Sequence, residues 1–175
     1  AIKEGGATPA VVGVWDGRPT VGLSDNQVDA LAASECAVKV SVRDLSLSEI
    51  RGTHGGTTVA ATAWLAHLAG VEVFATGGIG GIHRGRPEDV SADLPALART
   101  PILIVCAGAK SILDLPRTLE YLETWGVPVL GWRTAEFPAF YSRHSGLSTD
   151  ARVEGSDEIA RTFYAQRRLR LEQAT

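Results

Sequence analysis

At 175 residues, 45% apolar and with 19 glycines, the chain has the size of one ordinary domain, and this composition argues for a packed, loop-rich globular protein rather than disorder. Its net charge of −3, with both signs interspersed, excludes the electrostatic footprint of a nucleic-acid or anionic-membrane binder. No apolar run reaches the length of a membrane span.

The chain opens on "AIKEGGATPA" and contains no methionine, which reads as a piece of something longer. "PAVVGVWDGRPTVGL" reads as two strands joined at Asp16-Gly17, an N-terminal β-hairpin. "LSDNQVDALAAS" starts a helix with a capping box from Ser24 to Gln27. "AVKVSV" is the next strand and leaves Lys39 on one face; "SLSEIRG" is a short helical turn, and "THGG" a loop. "TTVAATAWLAHLAG" is a small-residue helix closed by Gly70. "VEVFAT" reads as a buried strand, followed by a loop, "GGIGGIHRGRPED", and a helix, "SADLPALART", capped by Ser91. "PILIVCAG" is a further buried strand. Asp114 caps the helix "LPRTLEYLETWG", "VPVLGW" is a strand and "FPAFYSRHSG" an aromatic loop. Ser156 caps a last helix running to about residue 173, whose basic cluster Arg167, Arg168 and Arg170 reads as a solvated helix end.

Strands that alternate with helices and are apolar almost throughout predict a single α/β domain over 1–175, a mostly parallel sheet covered by helices on both faces. In such sheets ligands bind beyond the carboxyl ends of the strands, here the loops after Thr76 and Ala107. Cys36 and Cys106 lie in strand-like surroundings with no paired spacing. They read as buried structural thiols in a reducing cytoplasm.

"TGGIGGIHRG" fails as a dinucleotide fingerprint, because His83 stands where a third glycine is needed, and fails as a P-loop. It remains either an anion-binding nest of backbone amides beside His83 and Arg84 or a flexible turn. Glu88, Asp89 and Asp93 near a helix start are either capping acids or carboxylates for a hard divalent cation. Thr57 and Thr58 after two glycines are either ordinary N-caps or an anion-friendly helix terminus. Lys110, in "VCAGAK", is the sharpest feature. Three lysines stand against fourteen arginines, and two of the three, Lys39 and Lys110, fall in sheet positions. Buried amines of this kind attack carbonyls and form Schiff bases, which arginine cannot do.

"GGTTVAATAWLAHLAGVEVFATGGIGGIHRG", "DVSADLPALARTPILIVCAGAKSILDLPRTLEYLETWGVPVLGW" and "EFPAFYSRHSG" resemble the pseudouridine-5′-phosphate glycosidase family, which includes indigoidine synthase A-like proteins. The likeness runs from about residue 1 to about residue 165. It implies an α/β/α fold, a cytoplasmic homotrimer, a divalent metal that is typically manganese, and reversible cleavage of pseudouridine 5′-phosphate to uracil and ribose 5-phosphate. By the same resemblance Lys110 is the Schiff-base lysine and Asp89 the metal ligand. It makes Ser91, Ala92, Asp93, Lys39 and Val59 substrate contacts, with Lys39 at the phosphate, and Thr58 at its helix start and His83 in the glycine loop are further candidate substrate contacts. A lysine suits this chemistry: a C–C glycosidic bond has no leaving oxygen to protonate, so a carboxylate pair is insufficient, whereas an iminium at the former anomeric carbon is an electron sink. The family's general acid, a glutamate in a Glu-Ser-Thr segment, has no counterpart here, since Glu4 stands in a different context. A second expectation therefore stays open, a non-catalytic homologue that binds a sugar phosphate or a partner chain.

Overall fold

The computed structural model describes residues 2–175. The chain divides into two compact units, residues up to Gly70 and residues Val71–Thr175.

In the first unit, β1 (Val12–Trp15) and β2 (Arg18–Val21) form the expected hairpin. Asp16 and Gly17 both take positive φ, 49° and 74°, as a tight hairpin turn matching the strand twist requires. Helix α1 (Asp25–Ala33) begins with the expected capping box: the Ser24 amide donates to Gln27 Oε1 at 2.9 Å, and the Gln27 amide to Ser24 Oγ at 3.4 Å. Strand β3 (Val38–Val40) follows, then a 3-10 turn, and α2 (Leu45–Arg51), which ends at left-handed Gly52. "THGG" is not the loop the sequence suggested. Gly55–Thr57 is strand β4, lying between β1 and β3 in the order β2-β1-β4-β3. A Cβ at Gly55 would stand 2.4 Å from the Val38 carbonyl oxygen and 2.6 Å from Val40 Cγ2. The bare backbone that reads as a loop is thus what admits the strand. Helix α3 (Val59–Leu68) packs Ala60, Ala61 and Ala63 into a core with Val14 and Val40, all 0% exposed.

The second unit runs β5 (Val73–Ala75), β6 (Ile82–His83), β7 (Arg86–Val90), α4 (Asp93–Leu97), β8 (Leu103–Val105) and β9 (Leu113–Asp114). It continues with α5 (Leu115–Thr124), β10 (Leu130–Trp132), β11 (Ala151–Val153) and α6 (Ser156–Arg168). Leu94, Ile102, Leu122 and Val153 are its most deeply buried large side chains.

The α/β class is as expected, but the sheet structure is more mixed than the sequence suggested. β3/β4, β5/β8 and β10/β11 pair in parallel, whereas the hairpin, β1/β4, β6/β7 and β6/β9 are antiparallel. The glycine loop contributes much of the difference, because it folds back at Gly85 (φ 70°) to make β6 and β7. β5 and β8 are not the buried strands their composition suggested: Val73 is 54% and Val105 55% exposed. Their two-stranded sheet leaves these outward side chains uncovered by the chain described. Helix α6 stops at Arg168, not near 173, and Gly155 rather than Ser156 is its N-cap. Arg170 takes φ 58°, and the Leu171 amide returns to the Gln166 carbonyl at 3.0 Å. This is a Schellman stop with arginine where glycine is usual, so nothing in the sequence marks it. Likewise α4 takes Ala92 as N-cap, while the Ser91 hydroxyl accepts from the Asp93 amide at 3.2 Å. Among the described residues no helix is long and apolar enough to cross a membrane.

Candidate functional site

Lys110 owes its place to a backbone ladder that outlasts the strands. Beyond β5 and β8 the two chains remain parallel: Thr76 donates to Val105 (3.0 Å), Ala107 to Gly77 (3.1 Å), Ile79 to Gly108 (3.0 Å) and Lys110 to Ile79 (3.1 Å). Lys110 is therefore the last rung, at the carboxyl end where α/β ligands bind, and it faces solvent instead of the buried position the sequence suggested. Its own carbonyl accepts from Leu113 at 3.0 Å, closing a turn into β9. Cys106, half-buried in the same segment, has its thiol pushed above the ordinary value by burial, partly opposed by a hydrogen bond from the Gly108 amide. Cys36, expected to be buried, is exposed, and both cysteines are free.

The glycine loop is packed rather than open, which removes the nest reading for its central part. Gly78 to Ile82 are buried, and the amides of Ile79, Gly80 and Ile82 are taken up inside the protein. Ile79 donates to Gly108 as above, Gly80 to Asp93 Oδ2 at 2.8 Å, and Ile82 to Thr118 Oγ1 at 3.1 Å. The anion this loop holds is the chain's own Asp93, which is 5% exposed. A Cβ on Gly80 would fall 2.1 Å from Ser91 Oγ and 2.7 Å from Asp93 Oδ2, and one on Gly81 would fall 2.4 Å from Thr118 Oγ1. The glycines are thus needed for close approach, not for floppiness. The Ser91 amide donates to Gly81 at 3.0 Å, so the loop and the Ser91–Asp93 segment are tied twice. The structure brings together, within the second unit, Lys110, His83, Ser91, Ala92 and Asp93. His83 pairs with Leu113 of β9, and the Arg84 Nε donates to the Leu113 carbonyl at 2.9 Å.

Sequence reasoning missed the seat beneath this rim. Phe140, in the aromatic loop, places its ring where a Gly78 Cβ would fall, 2.6 Å from Cε2, and its amide donates to Ala107 at 3.2 Å. Gly108 (φ 82°) bridges to Ala139, and a Cβ there would meet the Pro138 carbonyl oxygen at 2.4 Å. The glycine in "CAGAK" was the available signal. Thr118, fully buried on α5, was equally silent: an apolar helix face can hide one hydroxyl that donates to the Asp114 carbonyl at 2.7 Å and receives the Ile82 amide.

In the first unit, Lys39 is exposed on β3 and pairs with Gly56. Thr58 acts as an ordinary cap: its hydroxyl accepts from Ala61 at 3.3 Å and donates to Ser41 Oγ at 3.4 Å, while its amide donates to Val40 at 2.9 Å. Val59 begins α3, half-buried.

Asp89 and Glu88 lie on β7, all of whose residues are exposed. Among the described residues no three of His, Cys, Asp and Glu converge as metal ligands. The donors present do not form an all-protein cage. An exposed carboxylate such as Asp89 does fit a hard cation that keeps several waters and takes one or two carboxylates. A groove of about 220 Å³ lined by Pro116, Glu120, Glu123, Val129 and Asp150 among others contains none of the candidate residues.

Fold and site together define an α/β protein with a lysine at the carboxyl end of a parallel strand pair, beside a glycine loop pinned by a buried carboxylate. The chain belongs to the family described as indigoidine synthase A like protein, which it matches over residues 1–175. It is 58% identical over 173 residues to a pseudouridine-5′-phosphate glycosidase of Roseiflexus sp. (strain RS-1), covering 96% of this chain and 55% of that one. It is 52% identical over 164 residues to the enzyme of that name from Caldanaerobacter subterraneus subsp. tengcongensis, covering 93% and 53%. An indigoidine synthase A-like protein of Thermotoga maritima superposes with TM-score 0.93 at 38% identity, over 98% of this chain and 58% of its own. The prealnumycin C-glycosynthase AlnA, solved with ribulose 5-phosphate, superposes with TM-score 0.94 at 38% identity, over 99% and 58%. The chain spans about half the length of the curated relatives it matches.

Proposed function

We propose that this chain carries the Schiff-base chemistry of a pseudouridine-5′-phosphate glycosidase, with Lys110 as the nucleophilic amine. The observation that supports this most is the placement of Lys110 on the last rung of a parallel ladder, against a glycine loop fixed by Asp93. The neutral amine bonds to the anomeric carbon as the bond from that carbon to the ring oxygen breaks; the oxygen keeps the electron pair and takes up the proton the amine gives up, which leaves the ribose open. The C–C bond to uracil then breaks, its electron pair going to uracil C5, which takes up a proton, and the nitrogen lone pair closes the iminium on the sugar. Water hydrolyses the iminium, releasing ribose 5-phosphate and the free lysine. Run backwards, the same steps join the two.

In this reading Lys39 binds the phosphate, and Ser91, Ala92, Asp93, Val59, Thr58 and His83 line the substrate. Asp93 acts by fixing the Gly80 amide, being itself buried. Asp89 would be the carboxylate that holds a water-rich divalent cation, Mn2+ in this proposal, which when bound supplies positive charge for oxygens of the sugar phosphate. We further propose a cytoplasmic homotrimer, for which sedimentation should give three times the chain's mass. Borohydride added with ribose 5-phosphate should leave a reduced covalent adduct on the wild-type chain and none on Lys110→Ala. An adduct that survives Lys110→Ala removes the proposal. The second reading is a non-catalytic homologue that binds a sugar phosphate or a partner chain. Turnover of pseudouridine 5′-phosphate by this chain would exclude it.

A further inference from the structure

We infer that the chain assembles with copies of itself head to tail, the acidic groove beside α5 of one copy receiving residues 168–171, at the end of α6, from the next. Groove and segment both lie in the second unit, and each carries what the other lacks. This contact joins the copies of the homotrimer proposed above, and it rests on that reading for the number three alone.

The groove, about 220 Å³ in volume, is smaller than the roughly 300–1,000 Å³ of small-ligand pockets and suits inserted side chains. Half-buried Leu119, Val129 and Leu147 give it an apolar lining, and exposed Glu120, Glu123 and Asp150 surround that lining with negative charge. Glu120 and Glu123 are neighbours one turn apart on α5, a spacing at which like charges repel. Arg117, the one cation of α5, is turned to Asp114, Nε to Oδ2 at 3.6 Å. Asp150 has one oxygen on the Val129 amide at 2.7 Å. Among the described residues no cation pairs with any of the three acids. An apolar slot edged with unpaired carboxylates fits a segment that alternates cations with aliphatic side chains.

That alternation is Arg168, Leu169, Arg170 and Leu171. Cations suit a helix C-terminus with no further partner, but leucines do not, and Leu169 is 67% and Leu171 43% exposed. Arg167 is already engaged: its Nη1 donates to the Pro101 carbonyl at 2.9 Å and its guanidinium lies over the Phe163 ring. Arg168 and Arg170 pair with no carboxylate among the described residues. The segment is fixed from both sides. The Leu169 and Leu171 amides return to the Ala165 and Gln166 carbonyls at 2.9 and 3.0 Å, and Ala174, 1% exposed, donates to the Leu97 carbonyl at 2.8 Å. Docking it therefore costs little ordering entropy. A patch that fits a different patch of the same molecule makes a heterologous contact, which closes into a ring or continues as a filament.

Sedimentation of the whole chain tests this, with charge reversals confined to exposed side chains. The wild-type chain should sediment at a multiple of its own mass, three in the proposed trimer, and fall toward the single-chain mass as salt is raised. Glu120→Arg with Glu123→Arg, and separately Arg168→Glu with Arg170→Glu, should each give single chains of unchanged circular dichroism. All four reversals in one chain should restore the wild-type mass, a rescue that damage to the fold cannot produce. A wild-type chain that stays single at every concentration overturns the inference. So does either pair of reversals that leaves assembly intact, or a fourfold reversal that stays single. Rescue at a mass other than three chains supports the contact and removes the trimer. Borohydride trapping at Lys110, read on the same chains, reports the lysine chemistry separately, so its failure would leave the contact standing.

Discussion

Asp93 lies behind the surface that Lys110 presents, and the contrast between the two side chains explains their roles. The lysine is exposed at the end of its ladder, free to meet a carbonyl, whereas the carboxylate is 5% exposed and directed at the Gly80 amide. A buried acceptor of this kind holds the loop by being costly to remove: deleting it strands an amide that has no water to turn to. Asp93→Ala is therefore expected to lower stability by about 1–3 kcal/mol, read as a fall in denaturant midpoint, with Asn losing less because it retains an acceptor oxygen. If Asp93 were chiefly a substrate contact, Ala would change ligand affinity and leave the midpoint alone. The residue types were legible in "DVSAD" and "CAGAK", but their burial was not. Whether an acid near a glycine loop faces out or in depends on what the loop packs against, and that is a tertiary fact.

Elements were legible wherever the sequence states its own local chemistry. The Asp16-Gly17 turn, the Ser24–Gln27 capping box, the Asp114 cap with Pro116 in the first turn of α5, and Gly70 after α3 all sit as their side chains dictate. They failed where a feature exists only through a distant partner. β4 is a strand because β1 and β3 flank two glycines, and α6 ends on a left-handed arginine. The aromatic loop is the clearest case, since its clamp joins Glu136 to Ser145 and Gly146 across the whole loop. The Glu136 carboxyl is held below its ordinary value of 4.5, first by the Gly146 amide and then by the His144 hydrogen bond, with desolvation opposing and the Ser145 amide adding a lesser contribution. A carboxyl depressed in the folded state stabilises it at pH above the unfolded value, and the contribution disappears as pH falls through the lower folded value. The loop should accordingly be ordered at neutral pH and loosen on acidification below about 4.5. Hydrogen exchange at the Ser145 and Gly146 amides would measure it, and Glu136→Ala, which removes the acceptor of both amides, should exchange fast even at neutral pH. Exchange at those amides that ignores both acid and Glu136→Ala would mean that the clamp does not hold the loop.

For the whole molecule, the α/β class followed from alternation and composition, while the pairing of strands did not. Apolar strands such as "VEVFAT" and "PILIVCAG" look buried in sequence, yet Val73 and Val105 stand more than half exposed. Composition reports that a surface wants cover and is silent on what supplies it. The same limit applies to function. The second unit alone carries Lys110, Asp93 and the aromatic loop, and the first carries Lys39 on β3. In the proposed reaction Lys110 must recognise an aldehyde carbon that any pentose offers, so the phosphate is what sets one sugar apart. An exposed ammonium on a strand is a suitable point charge for a phosphate. Lys39→Ala should therefore weaken borohydride trapping of ribose 5-phosphate, raising the sugar concentration for half-maximal labelling roughly tenfold, the loss of about 1.4 kcal/mol of charge-assisted binding. Trapping of unphosphorylated ribose should not change. A substitution that slowed both sugars equally would assign Lys39 to the amine's own chemistry instead. One that slowed neither would leave the phosphate to the helix termini and arginines of the chain, and the selectivity for a phosphorylated substrate would have to be sought among them.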